Sequence, residues 1–302
     1  MASLLSVENL QVQFQTKKGI NTAVDGVSFS VEKGRILGIV GESGCGKSVT
    51  SMSILQLLGS NARISGGSIK LDGKELIGLP EKEMCRIRGN DIAMIVQDPM
   101  TALNPTLTIG TQLMEPIMLH QNCGKKEAWT RAVDVLKRVG IAAPEKRMKE
   151  YPHQLSGGMR QRVMIAMAVS CEPRLLIADE PTTALDVTIQ AQILELMCEL
   201  REKMGTAIML ITHDMGVVAE TADDVLVLYA GKAVEYGSIE DIFERPKHPY
   251  TQGLLNSIPR LDEDVELLNT IEGTVPAPDA MPAGCRFAPR CPYGKDRCMK
   301  EK

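Results

Sequence analysis

Apolar residues alternate with polar ones in two stretches near the start of the chain. A period of two puts successive side chains on opposite faces of a strand, so that one face can be buried. The apolar members are Leu10, Val12 and Phe14 before a break at Lys17-Lys18-Gly19, and Val27, Phe29 and Val31 after it. The pattern therefore predicts antiparallel strands at the start of the chain.

Short runs of uninterrupted apolar residues predict strands that are buried on both faces. These runs are Ile36–Val40, Leu175–Ala178 and Ala207–Ile211. Helical spacing predicts a helix from Lys47 to about Leu58 and another along Ile189–Met204, each followed by a glycine. A hairpin is predicted where Val225–Tyr229 and Lys232–Tyr236 flank Gly231. Buried strands alternating with helices indicate an α/β fold.

Proline frequency suggests how the chain is divided. Prolines punctuate short helical patterns from about Gln97 to Leu155, which predicts a helical subdomain at about residues 98–170 inserted into a sheet domain. They recur from about Asp241 onward without sustained apolar periodicity. We therefore expect a main domain at residues 1–240 and a loop-rich tail at residues 241–302.

Composition and charge narrow the functional classes. The 302 residues carry a net charge of −4, which argues against a general nucleic-acid binder, so no nucleic-acid partner is expected. No window approaches the ~18 consecutive apolar residues of a membrane span. Residues Met1–Asn9 lack the basic start and apolar core of a signal peptide. We expect a cytosolic setting with reduced cysteines.

The strongest chemical signal follows the first buried strand. Gly41–Ser48 reads GESGCGKS and matches the pattern G-x-x-x-x-G-K-S/T. Glycines let backbone N–H groups close around phosphate oxygens, and the next helix points its positive end at the anion. Lys47 is expected to reach the β- and γ-phosphates and Ser48 to hold Mg²⁺. An ordinary turn before a helix is the alternative interpretation. Because the match lies between a predicted strand and a predicted helix, ATP binding is favoured over that alternative.

Two carboxylates follow the second buried strand. Asp179 is suited to holding Mg²⁺, through water, and Glu180 to orienting and deprotonating an attacking water. Alone, such residues also fit a solvated strand end. A second anion site is predicted at Leu155–Met159, where Ser156 can cap a helix and Gly157 and Gly158 expose N–H groups. Alone, that segment fits an ordinary helix cap equally well.

Six motifs occur in an order that resembles the nucleotide-binding subunits of ABC transporters. They are Gly41–Ser48, Gln97, Leu155–Met159, Asp179-Glu180, Ala184-Leu185-Asp186 and His213, within about residues 5–240. The resemblance implies ATP hydrolysis. It also implies a three-layer P-loop NTPase core with an antiparallel β subdomain and an inserted helical subdomain.

The resemblance assigns roles by position. Catalysis is expected from Lys47, Glu180 and His213, with His213 contacting the γ-phosphate, and Mg²⁺ binding from Ser48, Gln97 and Asp179. Phe14 is expected to stack on adenine, although a core strand residue is the alternative. Ser156, Gly157 and Gly158 would contact ATP held by a second subunit, and Asp186 would touch that subunit. The remaining nucleotide contacts are Gly41, Ser43, Gly44, Gly46 and Val49.

Two further segments and the cysteine-bearing tail resemble importers of oligopeptides, dipeptides and nickel. The segments are Gln97–Pro105 and His248-Pro249-Tyr250-Thr251. In such importers two different ATP-binding subunits work with two permeases and an external binding protein. The resemblance implies a peripheral place on the cytoplasmic face of the cell membrane and a peptide cargo. Nickel or another small solute is the alternative cargo.

Three cysteines in the tail predict a metal site. Cys285, Cys291 and Cys298 lie in a proline-rich segment, and thiolates on loops hold iron–sulfur clusters. The resemblance implies a 4Fe–4S cluster whose fourth ligand lies beyond these three. Nearby arginines, Arg286 and Arg290 among them, are expected to offset its negative charge. Zinc, whose ligands usually come in closer pairs, and unliganded thiols are the alternatives.

Two other functions compete with the importer. A soluble ABC-type ATPase acting on ribosomes or DNA usually joins two ATPase units or carries long coiled coils, and neither pattern occurs here. A non-hydrolysing ATP switch is disfavoured because Glu180 and His213 are both present. The importer ATPase therefore remains the main hypothesis.

Overall fold

The computed structural model describes residues 3–17, 19–183, 186–258, 270–277 and 280–301, except for the side chains of Pro99 and Met100. Ala184 and Leu185 of the predicted Ala184-Leu185-Asp186 motif lie outside the described residues. The strands are β1 Ser3–Thr16, β2 Gly19–Glu32, β3 Ile36–Val40, β4 Ala62–Leu71, β5 Lys74–Glu75, β6 Ile92–Ile95, β7 Leu175–Asp179, β8 Ala207–Ile211, β9 Asp224–Tyr229 and β10 Lys232–Ser238. The helices are α1 Lys47–Ile54, α2 Glu81–Ile87, α3 Pro99–Ala102, α4 Ile109–Gln121, α5 Lys125–Arg138, α6 Pro144–Arg147, α7 Gly157–Val169, α8 Val187–Met204, α9 Met215–Thr221, α10 Ile239–Glu244, α11 Pro249–Asn256 and α12 Asp296–Lys300.

The chain divides into two compact units. Unit 1 consists of Met1–Glu32, Ile36–Ile77 and Leu210–Lys302. Unit 2 consists of Lys33–Arg35 and Gly78–Met209.

Unit 1 contains an antiparallel sheet with the strand order β2-β1-β4-β5. β1 and β2 pair from Ser3↔Glu32 to Thr16↔Gly19, which confirms the predicted antiparallel strands. Leu10, Val12 and Val27 are fully buried. The alternating pattern thus forms one buried face.

Unit 1 also contains β9 paired in parallel with β3 and in antiparallel fashion with β10. The hairpin between β9 and β10 is confirmed, and its turn residues Ala230 and Gly231 both have positive φ, 47° and 84°, as tight hairpin turns require. Helix α1 ends at Ile54 rather than near Leu58. Gln56 adopts a φ of 50°, and the N–H of Leu57 donates back to the Met52 carbonyl at 2.8 Å.

Unit 2 combines parallel strands with helices. β6 and β7 pair in parallel from Ile92↔Leu175 to Ile95↔Ala178. Helix α8 ends before Gly205, as its apolar stripe predicts. Helices α3 to α7 occupy the stretch where the proline-rich pattern predicts a helical subdomain. Mixed sheets with connecting helices confirm the α/β prediction.

Candidate functional site

The loop between β3 and α1 owes its course to glycines. Gly41 and Gly44 have φ values of 151° and 78°. At Gly41 a Cβ atom would overlap the Leu228 carbonyl oxygen and lie 2.7 Å from Cys45 Sγ, so only glycine fits there. Gly46 precedes α1 without a capping side chain. The N–H groups of the first helical turn are therefore not satisfied by a cap and suit an anion.

Lys47 supplies a positive charge at the same loop. Its side chain is 5% exposed, and Nζ donates to the carbonyl oxygens of Gly41 at 2.7 Å and Glu42 at 3.2 Å. Burial raises the pKa of the Cys45 thiol, with Lys47 opposing the shift, so the thiol stays neutral. Ser48 is exposed on the first turn of α1. The loop thus offers a cation, a hydroxyl and a helix N-terminus, which together fit a phosphate chain.

Phe14 lies on β1 at the edge of a depression of about 210 Å³. The ring is only partly buried, in contrast to Leu10 and Val12 of the same strand. Ile20, Asn61 and Arg63 also line the depression. An accessible aromatic face can stack on a planar base, and the adenine role of Phe14 stays a prediction.

His213 lies in the turn that follows β8. The turn is fixed beside the ring, because Thr212 Oγ1 accepts from the Asp214 N–H at 3.0 Å. Asp214 in turn caps α9 by accepting from the Gly216 N–H at 2.8 Å. The imidazole is exposed, so the turn presents it toward solvent.

Unit 2 brings Gln97, Glu180 and Thr183 together at the end of β7. Gln97 Nε2 donates to Glu180 Oε2 at 2.8 Å, and Thr183 Oγ1 donates to the same oxygen at 3.0 Å. Glu180 has a φ of 47°, in the left-handed region, which is uncommon for a side chain of this size. Asp179, just before it, is buried at 6% exposure. The carboxylate expected to be the general base is thus held in one orientation.

Thr183 is a contact that sequence reasoning missed. Its hydroxyl stands three residues after Glu180, which is close enough for a local turn to join them. The Thr183 N–H also donates to the Glu180 carbonyl at 3.2 Å. The spacing of three residues between Glu180 and Thr183 could have predicted this contact.

The second predicted anion site lies elsewhere in unit 2. Ser156 caps α7 by accepting from the Met159 N–H, and Asp186 caps α8 by accepting from the Ile189 N–H at 3.0 Å. Both residues line one cavity of about 560 Å³, together with Gly157 and Gly158. Arg162 and Arg147 also line it, and Arg147 is paired with Glu150 at 2.8 Å. The structure thus joins two motifs that the sequence gives separately.

Two tail residues that were not predicted at the site contact Gly41–Ser48, the candidate phosphate-binding loop at the junction of β3 and α1. Tyr250 Oη accepts from the Glu42 N–H at 3.0 Å. Burial raises the pKa of Tyr250, so the phenol is neutral. Arg290 Nη1 donates to both carboxylate oxygens of Glu42 at 2.9 and 3.0 Å. The paired residues are separated by 208 and 248 positions, so no local sequence pattern predicts these contacts.

The prediction of a 4Fe–4S cluster at Cys285, Cys291 and Cys298 is wrong. Among the residues that the structure describes, no group of three or more His, Cys, Asp or Glu side chains could hold a metal ion. Cys285 is exposed while the other two are partly buried, and all three thiols are free. The three cysteines are near one another in sequence, but their thiols do not form a metal-binding group.

The tail arginines have a different role from the one predicted beside a cluster. Arg286 pairs with Asp25 at 2.7 Å, and Arg290 pairs with Glu42 at 2.9 Å. Phe287 between them is 2% exposed and packs against Tyr229 with ring centroids 5.1 Å apart. These contacts attach the segment 280–301 to strand and loop residues. Both arginines are paired with carboxylates rather than with the thiols.

No helix within the described ranges is both long and apolar enough to cross a bilayer.

Two protein families match the chain in different regions. "ABC transporter" matches residues 24–183. "Oligopeptide/dipeptide transporter, C-terminal region" matches residues 234–298. The two matches follow one another along the chain without overlap.

Two curated relatives are similar over nearly the whole chain. The oligopeptide transport ATP-binding protein AppD of Bacillus subtilis is 58% identical over 99% of this chain and 91% of its own length. The dipeptide transport ATP-binding protein DppD of the same organism is 57% identical over 97% of this chain and 88% of its own length. Both are described as ATP-binding proteins of peptide transport, without mention of an iron–sulfur cluster.

A solved structure extends the similarity to the fold. It is the dimeric, post-hydrolysis ATP-binding cassette MJ0796 bound to ADP and phosphate, with a TM-score of 0.70 and 27% identity. The alignment covers 78% of this chain and 98% of that one. The predicted three-layer P-loop fold is therefore confirmed. The chain belongs to the ABC transporter family and is one of its ATP-hydrolysing subunits.

Proposed function

We propose that this chain powers the import of di- and oligopeptides across a cell membrane by hydrolysing ATP on its cytoplasmic face. One observation carries the proposal. The ABC transporter region and the oligopeptide/dipeptide transporter C-terminal region occur together in one chain. The second region is described by its presence in oligopeptide and dipeptide transporters. Both B. subtilis relatives, which are similar over nearly their whole lengths, are named for peptide transport.

The phosphate-binding loop is proposed to bind the triphosphate of ATP. Its fit rests on the glycine-shaped backbone and on buried Lys47 beside the start of α1. Lys47 neutralises phosphate charge, which lowers the barrier to phosphoryl transfer. His213 is assigned to the γ-phosphate and Phe14 to adenine. The remaining contacts are assigned to Gly41, Ser43, Gly44, Gly46, Ser48 and Val49.

Glu180 is proposed to orient and deprotonate the attacking water. Support comes from Gln97 and Thr183, which both donate to its Oε2 and so fix the carboxylate. A base held in place needs no reorganisation during the reaction. Oxygen atoms of Ser48, Gln97 and Asp179 are assigned to Mg²⁺, which prefers such ligands. When bound, Mg²⁺ neutralises charge that develops on the phosphates.

Hydrolysis is proposed to require a second ATP-binding subunit. Ser156, Gly157 and Gly158 line a cavity of unit 2 at the N-terminus of α7, and Asp186 and Arg162 also line it. Such a cavity suits phosphate brought by another molecule. The partner ATPase is proposed to be a different chain, so that the assembly is a heterodimer.

Two permeases and an external peptide-binding protein complete the proposed assembly. ATP-driven closure of the heterodimer moves the permeases, while the cargo is chosen outside the ATPase. Residues 1–240 form the nucleotide-binding domain in this proposal, with its helical subdomain at about residues 98–170. Residues 241–302 form the tail that is characteristic of peptide importers.

The test is transport by the whole assembly in sealed vesicles. The chain is purified with its co-transcribed partners, reconstituted, and supplied with ATP and labelled di- and tetrapeptides. ATP-dependent peptide accumulation is expected for the parent protein. Glu180→Gln is expected to retain ATP binding and to lower hydrolysis and uptake by at least about 10²-fold, the contribution of a general base.

A matched control removes a carboxylate of the same unit. Glu195 is exposed on α8, so Glu195→Gln should match the parent protein in both hydrolysis and uptake. ATP hydrolysis without uptake of any peptide would overturn the peptide cargo. Parental hydrolysis by Glu180→Gln would overturn the role of Glu180.

A further inference from the structure

The C-terminal tail meets the phosphate-binding loop at Glu42. The Glu42 N–H donates to Tyr250 Oη at 3.0 Å, and its carboxylate accepts from Arg290 at 2.9 and 3.0 Å. Its carbonyl oxygen accepts from Lys47 Nζ at 3.2 Å. Tail residues thus engage both the backbone and the side chain of the residue that follows Gly41.

Arg290 is itself held from several sides. Its Nε donates to the Glu272 carbonyl at 3.0 Å, and Nη2 donates to the Ile271 carbonyl at 3.1 Å. The guanidinium lies 5.8 Å from the centroid of the Tyr229 ring, and the side chain is 6% exposed. A guanidinium fixed in this way loses little freedom when it binds Glu42 and therefore imposes its position on the carboxylate.

Tyr250 stands on a rigid base. Its side chain is fully buried and packs edge-on against Tyr229, with centroids 4.7 Å apart, and against Phe287 at 5.4 Å. Tail and strand aromatics therefore form one cluster beneath the loop. The hydroxyl that receives the Glu42 N–H cannot move without disturbing that cluster.

A second tail arginine supports the other end of the loop. Arg286 donates to Asp25 Oδ2 at 2.7 Å and to the Ala230 carbonyl. Asp25 N–H donates to the Gly231 carbonyl at 2.8 Å, and Gly231 N–H donates to the Cys45 carbonyl at 2.9 Å. The two arginines therefore brace the loop at Glu42 and, through Gly231, at Cys45.

The charge of Glu42 gives the brace a chemical consequence. A carboxylate within an anion-binding loop repels a triphosphate unless a cation neutralises it. Arg290 supplies that cation from a largely buried position, where salt screens the pair only weakly. Without Arg290, Glu42 would be free to turn and would present uncompensated negative charge to the nucleotide.

We propose that Arg290 is a positioning residue for ATP: it neutralises and orients Glu42, so that docking of the C-terminal tail sets the affinity of the phosphate-binding loop. The inference deepens the proposed function and rests on it, because it requires that this loop bind ATP. It assigns the tail a role within the ATPase reaction itself.

The test measures steady-state ATP hydrolysis by the purified importer with Arg290→Gln, Glu42→Gln and both together. Arg290→Gln is expected to raise the KM for ATP about tenfold while kcat changes less than about threefold. The rise should shrink as ionic strength increases, because salt screens repulsion between Glu42 and phosphate. The double variant should regain most of the lost affinity, since no unpaired carboxylate remains.

Arg297→Gln is the matched control. Arg297 is an exposed arginine of the same tail, so its replacement should leave the KM for ATP unchanged. If Arg290→Gln lowers the yield of folded protein, Arg290→Lys replaces it in the single and double variants. The lysine keeps the positive charge but not the full set of Arg290 contacts, so the KM for ATP should rise about two- to threefold, and this rise should disappear when Glu42→Gln is added.

Two results would overturn the inference: a parental KM for ATP in Arg290→Gln, or an equal KM defect in the single and double variants. A merely structural role would lower the melting temperature without salt-dependent or Glu42-dependent changes in KM. Failure of the proposed function looks different, because the parent importer would then hydrolyse ATP without taking up peptide, and the comparison of KM values among the variants would be unaffected.

Discussion

The phosphate-binding loop and the tail segment 280–301 are both irregular backbone, yet they are held by different means. The loop takes its shape from glycines a few residues apart, with Gly41 at a φ of 151°. The tail takes its shape from side chains that reach distant partners, such as Phe287 on Tyr229 and Arg286 on Asp25. The contrast shows that a short sequence motif can specify a local backbone conformation. Contacts between residues far apart in the chain leave no such motif.

The loop should fail most severely when one glycine gains a side chain. Gly41→Ala would place Cβ against the Leu228 carbonyl and Cys45 Sγ, which forces the backbone to shift. A displacement of about 1 Å at a reacting site costs roughly 10²-fold in activity. ATP hydrolysis by the assembled importer should fall by at least that factor, and binding of a fluorescent ATP analogue should weaken.

Gly44→Ala is the control for this prediction. A methyl group on Gly44 would meet no other atom within 4 Å, although the φ of this residue is also positive. Backbone strain of about 1 kcal/mol should reduce binding roughly fivefold. Equal losses in the two variants would mean that close packing at Gly41 does not shape the loop.

The tail should fail when its aromatic anchor is removed. Phe287→Ala empties a site that is 2% exposed and lined by Tyr229 and Tyr250. Docking of the tail should weaken by about 3 to 5 kcal/mol, as for other buried phenylalanines. Hydrogen exchange of residues 280–301 should accelerate, and the KM for ATP should rise as the Arg290 contact is lost.

Tyr293→Ala is the control in the same segment, since Tyr293 is 68% exposed. It should leave both hydrogen exchange and KM near parental values. Unchanged exchange in Phe287→Ala would show that the aromatic cluster is not what anchors the tail.

The smallest effect is expected from pH. Burial lowers the pKa of His248, while Glu235 opposes the shift, and neutral Nδ1 accepts from the Tyr250 N–H at 3.1 Å. Because the folded state disfavours protonation, the stabilisation is complete above the unfolded pKa of ~6.5 and is lost as pH falls through the lower folded value. Protection of the tail amides against exchange, measured relative to the intrinsic exchange rate at each pH, should therefore fall below about pH 6.5.

His248→Asn keeps a capping side chain that does not titrate in this range. Its tail exchange should lack the component of the acid response that is due to His248. An identical pH profile in parent and variant would show that His248 is not responsible for the acid response.

Sequence patterns predicted the parts of the molecule that depend on neighbouring residues. The alternation around Leu10 and Val12, the hairpin at Gly231 and the start of α1 at Lys47 all follow from local spacing. The end of α1 was not predicted correctly. Gln56 takes a left-handed conformation, and apolar spacing does not predict such a conformation for a non-glycine residue. The assigned nucleotide contacts remain predictions, although their local geometry suits them.

The cysteine prediction was wrong for a related reason. Proximity along the chain suggested that Arg286 and Arg290 serve the thiols of Cys285 and Cys291. The structure directs both arginines to carboxylates more than 200 residues away, at Asp25 and Glu42. Charge partners at such separations cannot be read from spacing, because many acidic residues could serve equally well.

The pairing of Glu42 with Arg290 also has a consequence for biosynthesis. The two residues are 248 positions apart, and ribosomes add about 5 to 20 residues per second. Glu42 is therefore synthesised roughly 12 to 50 seconds before Arg290. Throughout that interval a nascent chain lacks the contact of Arg290 with Glu42, and premature release would leave the carboxylate without this partner.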